Sequence, residues 1–210
     1  GKLACEMSVL FDPETLASRL CPRPNILRTI VDAINTDNLK DAWISGNEET
    51  IGWVYEGFIE EENQAVFKKF SKGKKVLPEE IAAATQRFTP SWIVKFLVEN
   101  SLGRLWINMH PDSLLKDQLE YLVPSVGEPP KQPLKSVREI LFLDPACGSM
   151  HFGLVAFDIL VEMYREEIIH TGQPGWPKEP SVTTEDDIPS AIIEHNLHGI
   201  DLDPRAIQIS

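Results

Sequence analysis

FLDPACGSMHFG, residues 142–153, places four small residues, Ala146, Cys147, Gly148 and Ser149, between two apolar segments. Upstream, Val137, Ile140, Leu141, Phe142 and Leu143 predict a short buried strand that ends at Asp144 and Pro145. Downstream, HFGLVAFDILVEMYREEIIH predicts a helix of about five turns. A loop from Thr171 to Asp187 follows. AIIEHN then predicts a short helix, LHGIDL a second buried strand, and PRAIQIS the start of another helix. Strand, helix, strand, helix is the opening of an α/β unit on a parallel sheet. Two or three strands cannot bury both faces of a doubly wound sheet, so the chain reads as a truncated part of a larger protein.

The first ninety residues read as helical. Asp12 and Pro13 suit a helix start, NILRTIVDAI is amphipathic from Asn25, and TDNLKDAWI is a short third segment. The longest segment runs from Glu49 to Gly73. Its aromatics Trp53, Phe58, Phe67 and Phe70 do not hold one face, which predicts a break near Asn63. In RFTPSWIVKFLVENSLGRLW, Thr89 suits a cap and Pro90 a first helical turn, with Gly103 ending or interrupting the helix. The proline-rich stretch 123–136 marks a linker. The predicted divisions are 1–85 helical, 86–122 helical, 123–136 linker and 137–210 α/β.

At 210 residues and 42% hydrophobic, the chain can bury a real core. Three widely spaced cysteines argue against a disulfide framework and predict a reducing, cytoplasmic setting. No apolar run is long enough to cross a membrane. With 20 basic against 32 acidic residues the formal charge is -12, so a polyanion such as DNA would be held mainly by something outside this chain. The lysines of KKFSKGKK, Lys68 to Lys75, read as a solvated helix end.

Ligands of open α/β sheets sit at the carboxyl ends of the strands, where Gly148 allows a tight turn and close approach. A carboxylate at the end of the second strand, Asp201, can accept both hydroxyls of a ribose. The loop is not G-x-G-x-x-G, having only Gly148 and Gly153, and no G-K-[ST] follows. Asp144 would repel a phosphate but suits an ammonium group. The combination favours S-adenosylmethionine over a dinucleotide, while a dinucleotide and a non-binding α/β domain stay open.

DPACGS resembles the cofactor motif of amino-group DNA methyltransferases that make N6-methyladenine, most of all the large enzymes of restriction-modification and phage-exclusion systems. ATQRFTPSWIVKFLVENSLGRLW is similar to the family's block ahead of the cofactor loop, and NLHGIDLDPRAIQIS to its second strand and next helix. IGWVYEGFIEEENQAVF resembles the helical region before the catalytic domain. The likeness covers residues 49–110 and 137–210, and implies a Rossmann-like S-adenosylmethionine-dependent methyltransferase domain. It implies that Thr89 and Pro90 line the methionine end and that Asp144 faces the amino group. Ala146, Cys147, Gly148 and Ser149 would lie beneath the cofactor, Asp201 would hold the ribose and Leu202 would press on the adenine.

Two departures stand out. Met150 takes the place of the family's second glycine, and Asp201 follows Asp144 by 57 residues, with the 171–187 loop accounting for part of the excess. The family's Asn/Asp-Pro-Pro-Phe/Tyr segment, which orients a flipped adenine, is missing. Pro129 and Pro130 lie upstream of the loop and cannot serve. The chain is therefore expected to bind cofactor without methylating DNA, its parent protein acting on DNA, with possible partner subunits of a defence system. No catalytic residue and no metal ligand is assigned: Cys147 reads as a small turn residue, and His195 and His198 straddle a helix-to-strand change. A non-catalytic helical interaction module and an NAD-dependent oxidoreductase are the competing readings.

Overall fold

The computed structural model describes residues 23–44, 49–85, 89–125, 127 and 132–210. The predicted helix after Pro13, together with Phe88, Pro129 and Pro130, lies outside them. The chain divides into two compact units, Gly1–Val54 and Tyr55–Ser210. In the first, α1 (Pro24–Ile34) starts with Pro24 at its first helical position, where the missing N–H costs nothing. Asp37–Trp43 forms a 3₁₀ helix.

α2 (Thr50–Ser71) is unbroken through Asn63, contrary to the expected interruption. The Asn63 amide reaches out to the Ala83 carbonyl at 2.7 Å, so it ties α2 to α3 (Pro78–Thr85) instead of competing for its own backbone. Lys69 pairs with Glu80 across the same two helices. α4 (Ser91–Val98) passes through a π turn, Glu99–Gly103, into α5 (Arg104–Met109). Val94, Val98, Leu102 and Trp106 are all buried. A row at i, i+4 drifts around a regular helix, and the wider π turn brings it back toward one face. Gly103 sits inside this continuous rod. A Cβ there would come within 2.7 Å of Leu119 Cδ1, so the glycine makes room for a packing side chain.

The strand predicted from Val137 onward is shorter than the apolar run. Val137–Glu139 is a 3₁₀ turn closed by a Ser136–Glu139 capping box, and β1 is Phe142–Asp144. α6 (His151–His170) follows as predicted. A 3₁₀ turn at Glu185–Asp187 leads into α7 (Ile188–Ala191), a π turn at Ile192–Asn196 and β2 (Leu197–Gly199). α8 (Pro204–Ile209) closes the unit. β1 and β2 are parallel, with Phe142 opposite Leu197 and Asp144 opposite Gly199.

Among the described residues the fold is thus mostly helical around a small two-stranded parallel sheet, within the α/β class. The main core joins Val98, Leu102 and Trp106 to Leu160, Met163 and Tyr164 of α6 and to Ile140 beside β1. Successive strand residues point to opposite faces. Ile140 is buried and Phe142 packs on the core, whereas Leu141 and Leu143 are 69% and 58% exposed. The expectation that all of these residues are buried fails for that reason: among the described residues only one face of the sheet is covered.

Buried polar groups fix the frame. Glu166 accepts from Trp106 Nε1 and Ser113 Oγ at 2.7 Å, and from the Leu114 and Leu115 N–H groups at 2.7 and 3.1 Å. Glu167 accepts from Val137 N–H and Ser181 N–H, each at 2.7 Å. Asn196 donates to the carbonyls of Val137 and Ile140 at 2.8 Å and accepts from Tyr164 at 2.9 Å, pinning the entries of both strands. The 171–187 loop is held along α6 through Glu167 and through Arg165–Glu185. No helix among the described residues is long and apolar enough to cross a membrane.

Candidate cofactor-binding site

Pairing continues past the two strands. Ile200 N–H donates to the Asp144 carbonyl at 2.9 Å, and Cys147 N–H donates to the Ile200 carbonyl at 3.0 Å. Residues 144–150 and 200–203 therefore meet at the carboxyl ends of β1 and β2. Asp144 Oδ1 accepts from Ala146 N–H at 3.1 Å, whereas its Oδ2 is buried without a hydrogen-bond partner. A carboxylate oxygen left so attracts a cationic donor.

Across the loop, Asp201 Oδ2 accepts from Gly148 N–H and Asp201 Oδ1 from Asp203 N–H, both at 2.8 Å. Each oxygen is held by one backbone donor and retains capacity for another. Gly148 has φ +52°, a region open to glycine, and nothing stands within 4 Å of where its Cβ would be. Leu202, the next residue after Asp201, is 78% exposed. Two carboxylates, one with a buried unpartnered oxygen and one laced to the loop, thus flank an unobstructed glycine turn.

No protein-family model matches the chain. It is 37% identical over 204 residues to the adenine-specific methyltransferase BrxX of Escherichia coli O9:H4 (strain HS), covering 93% of the chain. It is 36% identical over 218 residues to the adenine-specific methyltransferase PglX of Lacticaseibacillus casei (strain Zhang), covering 97% of the chain. The chain belongs to the adenine-specific methyltransferase family. It spans 15% and 16% of the lengths of these two relatives.

In this family member, Met150 caps α6 with φ 64°, keeping the left-handed backbone of a glycine while carrying a side chain. Room for that side chain comes from two glycines. A Cβ at Gly153 would lie 2.5 Å from Met150 Cγ, and a Cβ at Gly199 would lie 3.3 Å from Met150 Sδ. The thioether is therefore folded between the first turn of α6 and the end of β2. Cys147 is buried against the same glycine: a Cβ at 199 would stand 2.9 Å from its Sγ. Burial, and then the negative charges of Asp201 and Asp144, push its thiol pKa up, which is the opposite of an activated nucleophile.

The structure brings Asp144, Ala146, Cys147, Gly148, Ser149, Asp201 and Leu202 together. Thr89 and Pro90 stand at the start of α4, and no hydrogen bond among the described residues joins them to the loop. The helix begins one residue later than expected: Pro90 has ψ 137° and its carbonyl accepts from Ile93 and Val94, so Pro90 rather than Thr89 is the cap. Asp203, which in sequence reads only as an improbable metal ligand beside His195, His198 and Asp201, caps α8 by accepting from Arg205 N–H at 2.9 Å. The Asp-Pro pair directly after a strand is the signal that marks it.

Proposed function

We propose that the chain forms the S-adenosylmethionine-binding part of an adenine-N6 DNA methyltransferase working in a phage-exclusion or restriction-modification system. The observation that carries this reading is the pair of carboxylates at adjacent strand ends. Asp144 Oδ2 is buried without a partner, and Asp201 is held by Gly148 and Asp203 N–H groups across an open turn. These residues fit the cofactor: Asp144 for the ammonium of its methionine end and Asp201 for the ribose hydroxyls. Ala146, Cys147, Gly148 and Ser149 form the floor, Leu202 supplies an apolar face for the adenine, and Thr89 and Pro90 line the methionine end. When bound, the cofactor supplies a methyl group made electrophilic by its sulfonium.

The chain's own residues bind and orient; none is assigned a catalytic role. The Asn/Asp-Pro-Pro-Phe/Tyr segment is absent from its sequence. Base capture and the reaction itself then belong to the rest of the protein, and the chain alone does not methylate DNA. A formal charge of -12 assigns the DNA contact likewise to regions outside this acidic chain, alongside any partner subunits. A Rossmann-like arrangement is supported by the apolar face bearing Leu141, Leu143 and Ile200, which a doubly wound sheet would turn to a second helical layer. In this reading 1–85 and 86–122 are helical regions, the latter with the Phe-Thr-Pro block; 123–136 is a linker and 137–210 the partial methyltransferase domain. The setting is reducing and cytoplasmic.

Calorimetric titration with S-adenosylmethionine, S-adenosylhomocysteine and NAD tests the proposal. Saturable binding of the first two, lost in Asp201→Ala, is the expected result. Binding of NAD alone would overturn it.

A further inference from the structure

We infer that Tyr55, far from the loop in sequence, is a positioning residue for the cofactor: it fixes the Asp201 carboxylate in the orientation that takes the ribose hydroxyls. The inference rests on the cofactor reading above.

Tyr55 is buried on α2, and its hydroxyl donates to Asp203 Oδ2 at 2.6 Å. The Asp203 carboxylate, 2% exposed, also accepts from the Arg205 backbone N–H at 2.9 Å and from Arg205 Nη2 at 3.0 Å. Arg205 is in turn held by Glu62 at 3.2 Å. Tyr55 and Glu62 lie two turns apart on α2, with buried Ile59 between them packing on Ala206. α2 therefore grips the start of α8 at two polar points around an apolar one. Burial alone would raise the Asp203 pKa, but hydrogen bonds from Arg205 and Tyr55 outweigh it and hold the group ionised.

The consequence reaches the site through one backbone group. Asp203 N–H is the donor that holds Asp201 Oδ1, and Gly148 N–H holds the other oxygen. The orientation of Asp201 is thus set by two donors: one from the loop, the other from the residue that Tyr55 anchors. Without the phenol hydroxyl, the Asp203 side chain keeps only the partners within its own turn, at Arg205. The 201–203 segment can then shift against the loop, and displacements near 0.5 Å are enough to weaken a two-point contact.

The test is calorimetric titration of the full chain with S-adenosylhomocysteine and with its 2′,3′-dideoxy analogue. Tyr55→Phe keeps the ring in its apolar cluster and removes the donor. It should weaken S-adenosylhomocysteine about five-fold, the worth of roughly one hydrogen bond, and leave the dideoxy analogue within about two-fold. Tyr55→Leu, which also lacks the hydroxyl and keeps an apolar side chain beside Ile59 and Ala206, should show the same ligand-selective loss and carries the test if the first variant fails to fold. Equal weakening of both ligands would make Tyr55 merely structural and overturn the inference, as would no weakening of either. If the natural chain binds neither ligand, the cofactor reading itself falls. If it binds S-adenosylhomocysteine and both variants match it, only the positioning role falls.

Discussion

Replacing Gly153 with alanine tests where the Met150 side chain lies, and so whether the cofactor loop is clear. A Cβ at 153 would stand 2.5 Å from Met150 Cγ and 2.8 Å from Cε. Carbon atoms prefer separations of about 3.5–4 Å, so the new methyl meets filled space. At an ordinary helix position, glycine to alanine gains about 1 kcal/mol. Forcing a methyl into a packed region costs about 1–3 kcal/mol. Gly153→Ala should therefore destabilise the natural chain by roughly 1 kcal/mol net. In a Met150→Gly background the obstruction is gone, and the same change should stabilise by about 1 kcal/mol. Met150→Gly alone should be near neutral, because relief of the left-handed backbone, about 1–2 kcal/mol, offsets the lost burial of a half-covered side chain. Urea unfolding of the four proteins, with unchanged m, reads the cycle as a coupling of roughly 2 kcal/mol with reversal of sign. Stabilisation by Gly153→Ala in both backgrounds would place the thioether elsewhere and refute this account of the turn.

Glu166→Gln replaces a carboxylate accepting four hydrogen bonds with a group that must turn an NH₂ toward two donors. It should cost about 2–3 kcal/mol, seen as a lowered urea midpoint. The His110 pKa is depressed chiefly by burial, with Glu166 pulling it up and His170 pushing it further down from 6.5. The unfolded chain then binds more protons just below pH 6.5, so stability contributed by neutral His110 is present above that pH and is lost as the pH falls. Unfolding midpoints measured from pH 7.5 down to 5.5 should fall less steeply in His110→Gln than in the natural chain. With Cys5 and Cys21 replaced by serine, Cys147 should resist maleimide in the folded chain and react at once in urea. Fast labelling of the folded protein would contradict its raised pKa and burial.

The strand-end loop, α6 and both strands were legible because their signals are local. Asp144-Pro145 stops an apolar run, small residues fill the turn, and GID ends a second run before Pro204 opens a helix. What sequence hid depends on partners far along the chain. Glu166 and Glu167 read as two charges on a long helix, yet their donors come from Trp106, Ser113, Val137 and Ser181. Met150 stood out as a departure from a glycine because part of its room comes from Gly199, whose proximity is a matter of strand pairing. Leu141 and Leu143 read as buried because a continuous apolar run does not say which sheet faces are covered. Tyr55 gave no signal at all, since an aromatic residue on a helix is ordinarily core.

Cofactor binding at the two strand ends is best tested by a crystal structure of the chain with S-adenosylhomocysteine. The ammonium should lie within hydrogen-bond reach of Asp144 Oδ2, the ribose hydroxyls on Asp201 and the adenine against Leu202, with Met150 still folded toward Gly153. Ligand bound away from the two strand ends, or Met150 standing in the place of the cofactor, would contradict it.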